Sequence, residues 1–133
     1  MIVVDSSALI AILEREGDAL RYAAEIEKAD RLLISAVNVH ETGMVLRIRR
    51  GAAAVARMWR FLQEDNDFEI VPFGEAQARG ALEAFDRFGK GLHAKARLNL
   101  SDCAAYALAS SMKAPLLFKG DDFSATDAVA CLK

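Results

Sequence analysis

The sequence predicts an α/β protein, a three-layer α/β/α sandwich built on a central parallel sheet. Three observations lead there. Short runs at Ile2–Val4, Arg31–Ile34, Phe68–Val71 and Leu116–Phe118 are rich in β-branched and aliphatic residues, as strands covered on both faces require. Segments with apolar residues at helical spacing lie between them. The joining loops are short, and strands alternating with helices through short loops imply a parallel sheet with helices on both sides.

Ile2, Val3 and Val4 form the first strand, and Asp5 ends it. Ser6 and Ser7 are suited to cap the apolar helix Ala8 to Leu13. Gly17 breaks that pattern, and Asp18 starts a second helix to about Lys28. The second strand spans Arg31 to Ile34. Ser35 then opens a long helix in which Val37, Glu41, Val45 and Ile48 recur three or four residues apart, so Glu41 interrupts an apolar line. A carboxylate on an inward stripe is costly unless a cation or a donor meets it, and Asn38, one turn earlier, is placed to supply a donor.

Gly51 separates a further helix, Ala52 to about Gln63, with Val55, Met58, Trp59 and Leu62 as its apolar stripe. The third strand, Phe68–Val71, stops at Pro72 without an acid at its end. A helix follows from Gly74 to Phe88, then a loop marked by Gly89 and Gly91. Ser101 reads as the N-cap of the next helix, with Asp102 favoured in its first turn by the helix dipole. That helix is Ala-rich to Met112, which permits close packing on a sheet. Pro115 leads into the last clear strand, ended by Gly120, Asp121 and Asp122, and Thr126 to Leu132 offer one weak further element.

At 133 residues a single domain, 1–133, is expected. Hydrophobic residues at 53% and charged residues at 27% exclude extensive disorder. No apolar run approaches the roughly 20 residues that span a bilayer, and no basic region precedes an apolar segment as in a secretory signal, so a cytoplasmic protein is expected. Cys103 and Cys131 lack metal-site spacing and read as buried thiols; neither His40 nor His93 completes a catalytic pattern with Cys103. The net charge of −2 argues against tight non-specific nucleic-acid binding by the whole surface. Two local basic clusters stand out: Arg47, Arg49 and Arg50, and Arg87 through Arg97 with Lys90, His93 and Lys95 between. Each is either a solvated face or a phosphate-binding surface.

The acids carry the functional signal. Asp5 and the Asp121/Asp122 pair end strands, while Glu41 and Asp102 stand near helix starts. In a parallel sheet these positions gather on the carboxyl edge, where α/β proteins bind ligands. Two carboxylates about 5 Å apart repel by roughly 3 kcal/mol at an effective dielectric of 20, so converging acids call for a cation or raised pKa values. Hard divalent cations meet that need through oxygen ligands and suit phosphodiester hydrolysis.

Four segments, VVDSSALIAIL, ISAVNVHETGMVL, LNLSDCAAYALA and PLLFKGDDFSATDA, follow one another across nearly the whole chain. In these the chain resembles a PIN-domain ribonuclease, specifically a VapC-type toxin of bacterial toxin–antitoxin pairs. The resemblance implies Asp5, Glu41, Asp102 and Asp122 as catalytic and metal-binding residues. Asp121 is a further metal-ligand candidate, with the choice within the pair left open. Ser6, Ser7 and Asn38 are implied as hydrogen-bonding supports, and Thr126 and Asp127 as structural. The resemblance also implies Mg²⁺ or Mn²⁺, endonucleolytic RNA cleavage by a metal-activated water, a VapB-like antitoxin, and a homodimer within a toxin–antitoxin assembly, with no membrane partner.

The runner-up is a PIN-like binding module without catalysis, against which all four acidic positions are filled. A phosphoacceptor receiver domain would need paired acids after strand one and an acceptor Asp after the central strand. Only Asp5 follows Val4, and Pro72 and Phe73 follow the third strand. A phosphatase using D-x-D is excluded by Ser7 at the second acidic position.

Overall fold

The computed structural model describes residues 1–132. Its elements are β1 (Ile2–Val4), α1 (Ser6–Leu13), α2 (Ala19–Lys28), β2 (Leu32–Ser35), α3 (Ala36–Arg50), α4 (Ala52–Arg60), β3 (Phe68–Val71), α5 (Glu75–Phe88), α6 (Leu100–Met112) and β4 (Leu116–Leu117). The strands form one parallel sheet in the order β3-β2-β1-β4. Val3 lies opposite both Leu33 and Leu116, so β1 is central and its end, Asp5, emerges in the middle of the carboxyl edge.

Strand alternation sorts the core into two layers. Val3, Leu33 and Leu116 face Phe88, Leu98 and Leu108 around α5 and α6. Ile2, Val4, Ile34 and Leu117 face the other way, onto Leu9, Leu46 and Met58 from α1, α3 and α4 and onto Leu62 from the turn after α4. With both faces covered, β1, β2 and β4 are buried throughout and read as apolar runs, whereas β3 at the sheet edge exposes Glu69. The expected three-layer α/β/α sandwich with a central parallel sheet is the observed architecture. Helix α6 is buried from Ser101 to Ala109, and its alanines let α5 approach until Gly80 stands 3.5 Å, in Cβ terms, from the Ala107 methyl.

Several boundaries differ from expectation for local reasons. Helix α1 begins at Ser6 because Asp5 is its N-cap, accepting from the Ser7 amide at 2.9 Å; the two serines lie inside the helix. Strand β2 runs one residue later than expected, Leu32 to Ser35, with Arg31 exposed before it. Helix α4 gives way after Arg60 to a wider π turn, Phe61–Asp65, closed by an Asn66 amide to Phe61 carbonyl bond of 3.1 Å. Trp59, predicted on the inward stripe, is 46% exposed, while Met58 and Leu62 fill the core. The cap of α6 is Asn99, two residues before the expected Ser101. The weak terminal element is a single bridge, Ala130 beside Leu116. Among the described residues no helix is long and apolar enough to cross a membrane.

Gly89 closes α5, its amide donating to the Phe85 carbonyl at 2.7 Å. A Cβ there would collide with the Phe85 carbonyl and ring, whereas one at Gly17 would meet open space. Urea denaturation should therefore show Gly89→Ala destabilised by about 1–3 kcal/mol, with Gly17→Ala within about 0.5 kcal/mol of the parent. Equal stabilities would contradict this account of the turn.

Candidate active site

Parallel strands deliver their ends to one edge, and that edge carries the acids. Asp5 follows β1 directly and is only 3% exposed. Its Oδ2 accepts from the Ser7 amide at 2.9 Å and the Ser7 hydroxyl at 2.6 Å, and its Oδ1 accepts from Asn38 Nδ2 at 3.4 Å. Ser7 Oγ in turn accepts from the Lys119 amide at 2.9 Å, tying α1 to the chain leaving β4.

Asn38 is fully buried on α3 and is the hub of the site. Besides Asp5, its Nδ2 approaches Ser6 Oγ at 2.8 Å and the Ser101 carbonyl at 3.2 Å, joining α1, α3 and α6. Ser6 Oγ and Thr42 Oγ1 donate back to the Asn38 carbonyl at 3.3 and 2.8 Å. The buried stripe of α3 is Asn38, Val39, Thr42 and Leu46, not the expected line through Val37, Val45 and Ile48; Ile48 is exposed. Glu41 consequently stands at the margin of the buried face, half-exposed, where a ligand can reach it. Ser101 Oγ donates to Glu41 Oε2 at 2.7 Å.

Asp102 is 6% exposed in the first turn of α6. It forms a capping box with Asn99: Asp102 Oδ2 accepts from the Asn99 amide at 3.0 Å, and Asn99 Oδ1 accepts from the Asp102 amide at 2.9 Å. Asp102 thus takes part in capping α6, as Asp5 caps α1. Sequence reasoning missed Asn99 as cap and Ser101 as the support of Glu41. The spacing Asn99 to Asp102 is itself the capping-box signal that marks the helix start.

The acids act on one another. Burial pushes the Asp5 carboxyl up to about 6, against the Ser7 hydrogen bonds that lower it and with a further rise from the Glu41 charge. Burial pushes Asp102 up to about 7, opposed by the Asn99 amide and reinforced by Asp5, Asp122 and Glu41. Asp122, exposed after β4, thus belongs electrostatically to the same group. Asp121 is not among the main charges acting on Asp102; it lines a separate cleft with Arg21, Tyr22 and Phe123.

Other candidates fall away from this edge. Burial and Asp102 push the Cys103 thiol up to about 11, so it is not a thiolate nucleophile near neutral pH. Asp127 binds the Tyr106 hydroxyl and pairs with Arg87 at 3.1 Å, while Thr126 Oγ1 donates to the Phe123 carbonyl at 2.7 Å. Among the described residues, no three His, Cys, Asp or Glu side chains form a ready ligand shell. An all-oxygen set of mutually repelling carboxylates still fits a hard cation, since Mg²⁺ takes only one or two protein carboxylates and keeps several waters.

A family profile described as "PIN domain" matches residues 2–129. The chain belongs to the PIN-domain family. Its relatives within that family include the VapC ribonuclease Mb0625 of Mycobacterium bovis, 43% identical over 93% of this chain and 92% of that protein. Among solved structures, this PIN domain superposes on Mycobacterium tuberculosis VapC20, titled a sarcin–ricin-loop-cleaving toxin. The TM-score there is 0.79 at 21% identity, covering 97% of each chain. A toxin–antitoxin complex from Klebsiella pneumoniae gives a TM-score of 0.74 at 16% identity, covering 98% of this chain and 96% of that one. These structural likenesses establish the PIN fold.

With folded pKa values above the ordinary carboxylate range, Asp5 and Asp102 hold protons that the unfolded chain has released. Their contribution is present at about pH 4 and is lost as pH rises through about 6 to 7. Denaturation in chelator should therefore show stability falling across that window, with Asp5→Asn flattening the fall and Mn²⁺ opposing it. A rise in stability across the same window would contradict the assignment.

Proposed function

We propose that this PIN domain is the toxin of a type II toxin–antitoxin pair, a divalent-metal-dependent endoribonuclease working in the cytoplasm. The observation that carries the proposal is the convergence of Asp5, Glu41, Asp102 and Asp122 on the carboxyl edge, in a chain 43% identical to a VapC ribonuclease. Mg²⁺ or Mn²⁺ is the ion this oxygen set suits, and Asp5, Glu41, Asp102 and Asp122 are the residues that would hold it. When bound, such a cation lowers the pKa of water and stabilises charge developing on the scissile phosphate.

The chain's own residues prepare that chemistry. Ser7 and Asn38 fix both oxygens of Asp5, so its carboxylate does not reorient when substrate arrives. Ser101 holds Glu41 at the solvent margin, between the buried acids and an incoming strand. The capping box anchors Asp102 to α6, leaving Oδ1 free of hydrogen bonds within the described residues. Asp122, exposed and outside any helix or strand, joins the group from the loop after β4 through its charge on Asp102. A VapB-like antitoxin is the neutralising partner this reading implies, and a homodimer the working toxin. The exposed apolar side chains Met44, Ile48 and Trp59, beside an open cleft of about 760 Å³ between α3 and α4, supply surface for the antitoxin.

Inducible expression beside Asp5→Asn, with mapping of new RNA 5′ ends, tests the proposal. Growth arrest with discrete cleavage is expected for the parent alone. In vitro, Asp5→Asn, Glu41→Gln, Asp102→Asn and Asp122→Asn should each lower cleavage about 100-fold or more. Asn38→Ala should lower it about 10- to 100-fold, because the amide that orients Asp5 is lost, and Asp121→Asn should matter least. Folded protein that docks an antitoxin but cleaves no RNA would establish the binding module instead.

A further inference from the structure

Of the two basic clusters, the first keeps one cation, Arg47, outside any ion pair among the described residues, and the second keeps three. Arg49 and Arg50 both pair with Glu14, at 3.9 and 3.1 Å. Arg87 pairs with Asp127 at 3.1 Å, and Lys119, the cation nearest the end of β4, is taken by Glu16 and Asp18. Lys90, Lys95 and Arg97 are exposed, and no carboxylate among the described residues lies within ion-pair distance of them. All three stand on the loop between α5 and α6.

That loop is built rather than loose. The Lys90 amide donates to the Leu98 carbonyl at 3.0 Å and the Leu98 amide to the Phe88 carbonyl at 3.1 Å, closing its base. Gly91, at φ +92°, takes the left-handed turn a side chain would resist, bringing the Leu92 and His93 amides onto the Gly89 carbonyl. His93 Nδ1 accepts from the Lys95 and Ala96 amides at 3.0 and 2.8 Å, and its ring packs on Phe88 with centroids 5.8 Å apart. Ala96 and Leu98 are buried as anchors. Arg97 then precedes by two residues Asn99, the partner of Asp102, so the loop feeds directly into the acidic edge.

A polyanion approaching a chain of net charge −2, at an edge carrying four acids, needs compensating charge beside that edge. We propose that the 89–99 loop is a preformed phosphate cradle in which Lys90, Lys95 and Arg97 hold the RNA backbone next to the acidic edge. The inference rests on the ribonuclease reading and deepens it. Because such contacts are to phosphates, the loop contributes affinity and register without selecting a base sequence.

The test is binding of a fluorescein-labelled 20-nucleotide single-stranded RNA, by anisotropy over a salt series, in an Asp5→Asn background that prevents turnover. Replacing Lys90, Lys95 and Arg97 together by Gln should weaken binding about tenfold or more and lower the slope of log K against log salt by about 2, at roughly 0.7 per phosphate contact. The charge-preserving set Lys90→Arg, Lys95→Arg and Arg97→Lys should keep the slope, separating charge from loop integrity. Gln at Arg57 and Lys113, exposed cations elsewhere, should also leave it. Parental affinity and slope in the triple Gln variant would overturn the cradle and point to a protein ligand for the loop. If the folded background protein binds no RNA and the unmutated chain cleaves none, the ribonuclease reading fails first and the cradle with it.

Discussion

Mutual repulsion of carboxylates at the sheet edge is the constraint to which the rest of this structure answers. Asp5 and Asp102 are almost wholly buried; the Glu41 charge reaches both, and the Asp122 charge reaches Asp102. Each buried acid is shifted upward in pKa, so carrying these charges near neutral pH costs the folded chain stability. The fold tolerates this because the same residues also cap helices: Asp5 caps α1 and Asp102 completes the box at α6. Local stabilisation at the two helix starts offsets part of the electrostatic cost.

The scaffold makes the convergence unavoidable once the strands pair. Central β1 sets Asp5 between the Ser35 end of β2 and the loop leaving β4. Asn38 then crosses from α3 to both Ser6 and the Ser101 carbonyl, so three helices are locked around one amide. The Ala-rich α6 lets that third helix lie close against the sheet, bringing Asp102 within reach of the others. Arg49, Arg50, Arg87 and Lys119 are taken up in ion pairs, whereas Lys90, Lys95 and Arg97 on the loop before α6 have none among the described residues.

Much of this was legible in the residues. The strand runs, the helix order and the parallel sheet follow from buried β-branched segments alternating with helical spacing, and β3 runs from Phe68 to Val71 as expected. Convergence of Asp5, Glu41, Asp102 and Asp122 follows from strand ends and helix starts sharing an edge. Helix phase was not legible: Val37, Val45 and Ile48 suggested an inward face, but burial of Asn38 and Thr42 rotates α3 and moves Glu41 to the margin. A polar hub defeats a hydrophobic pattern because the Asn38 Nδ2 finds acceptors 32 and 63 positions away, although its Oδ1 has no partner among the described residues. The cap at Asn99 was obscured by Ser101, an equally good cap by type, whose hydroxyl serves Glu41 instead. The fate of the basic clusters depended on partners distant in sequence, Glu14 and Asp127, which no local pattern discloses.

Proton-linked metal binding tests the central claim most directly. Calorimetric titration of the folded protein with Mn²⁺ at about pH 6.5, in buffers of differing ionisation enthalpy, counts the protons released as the ion binds. The account predicts one bound site with net proton release, and both binding and release diminished in Asp102→Asn. Binding without proton release, or binding that ignores Asp5 and Asp102, would contradict it.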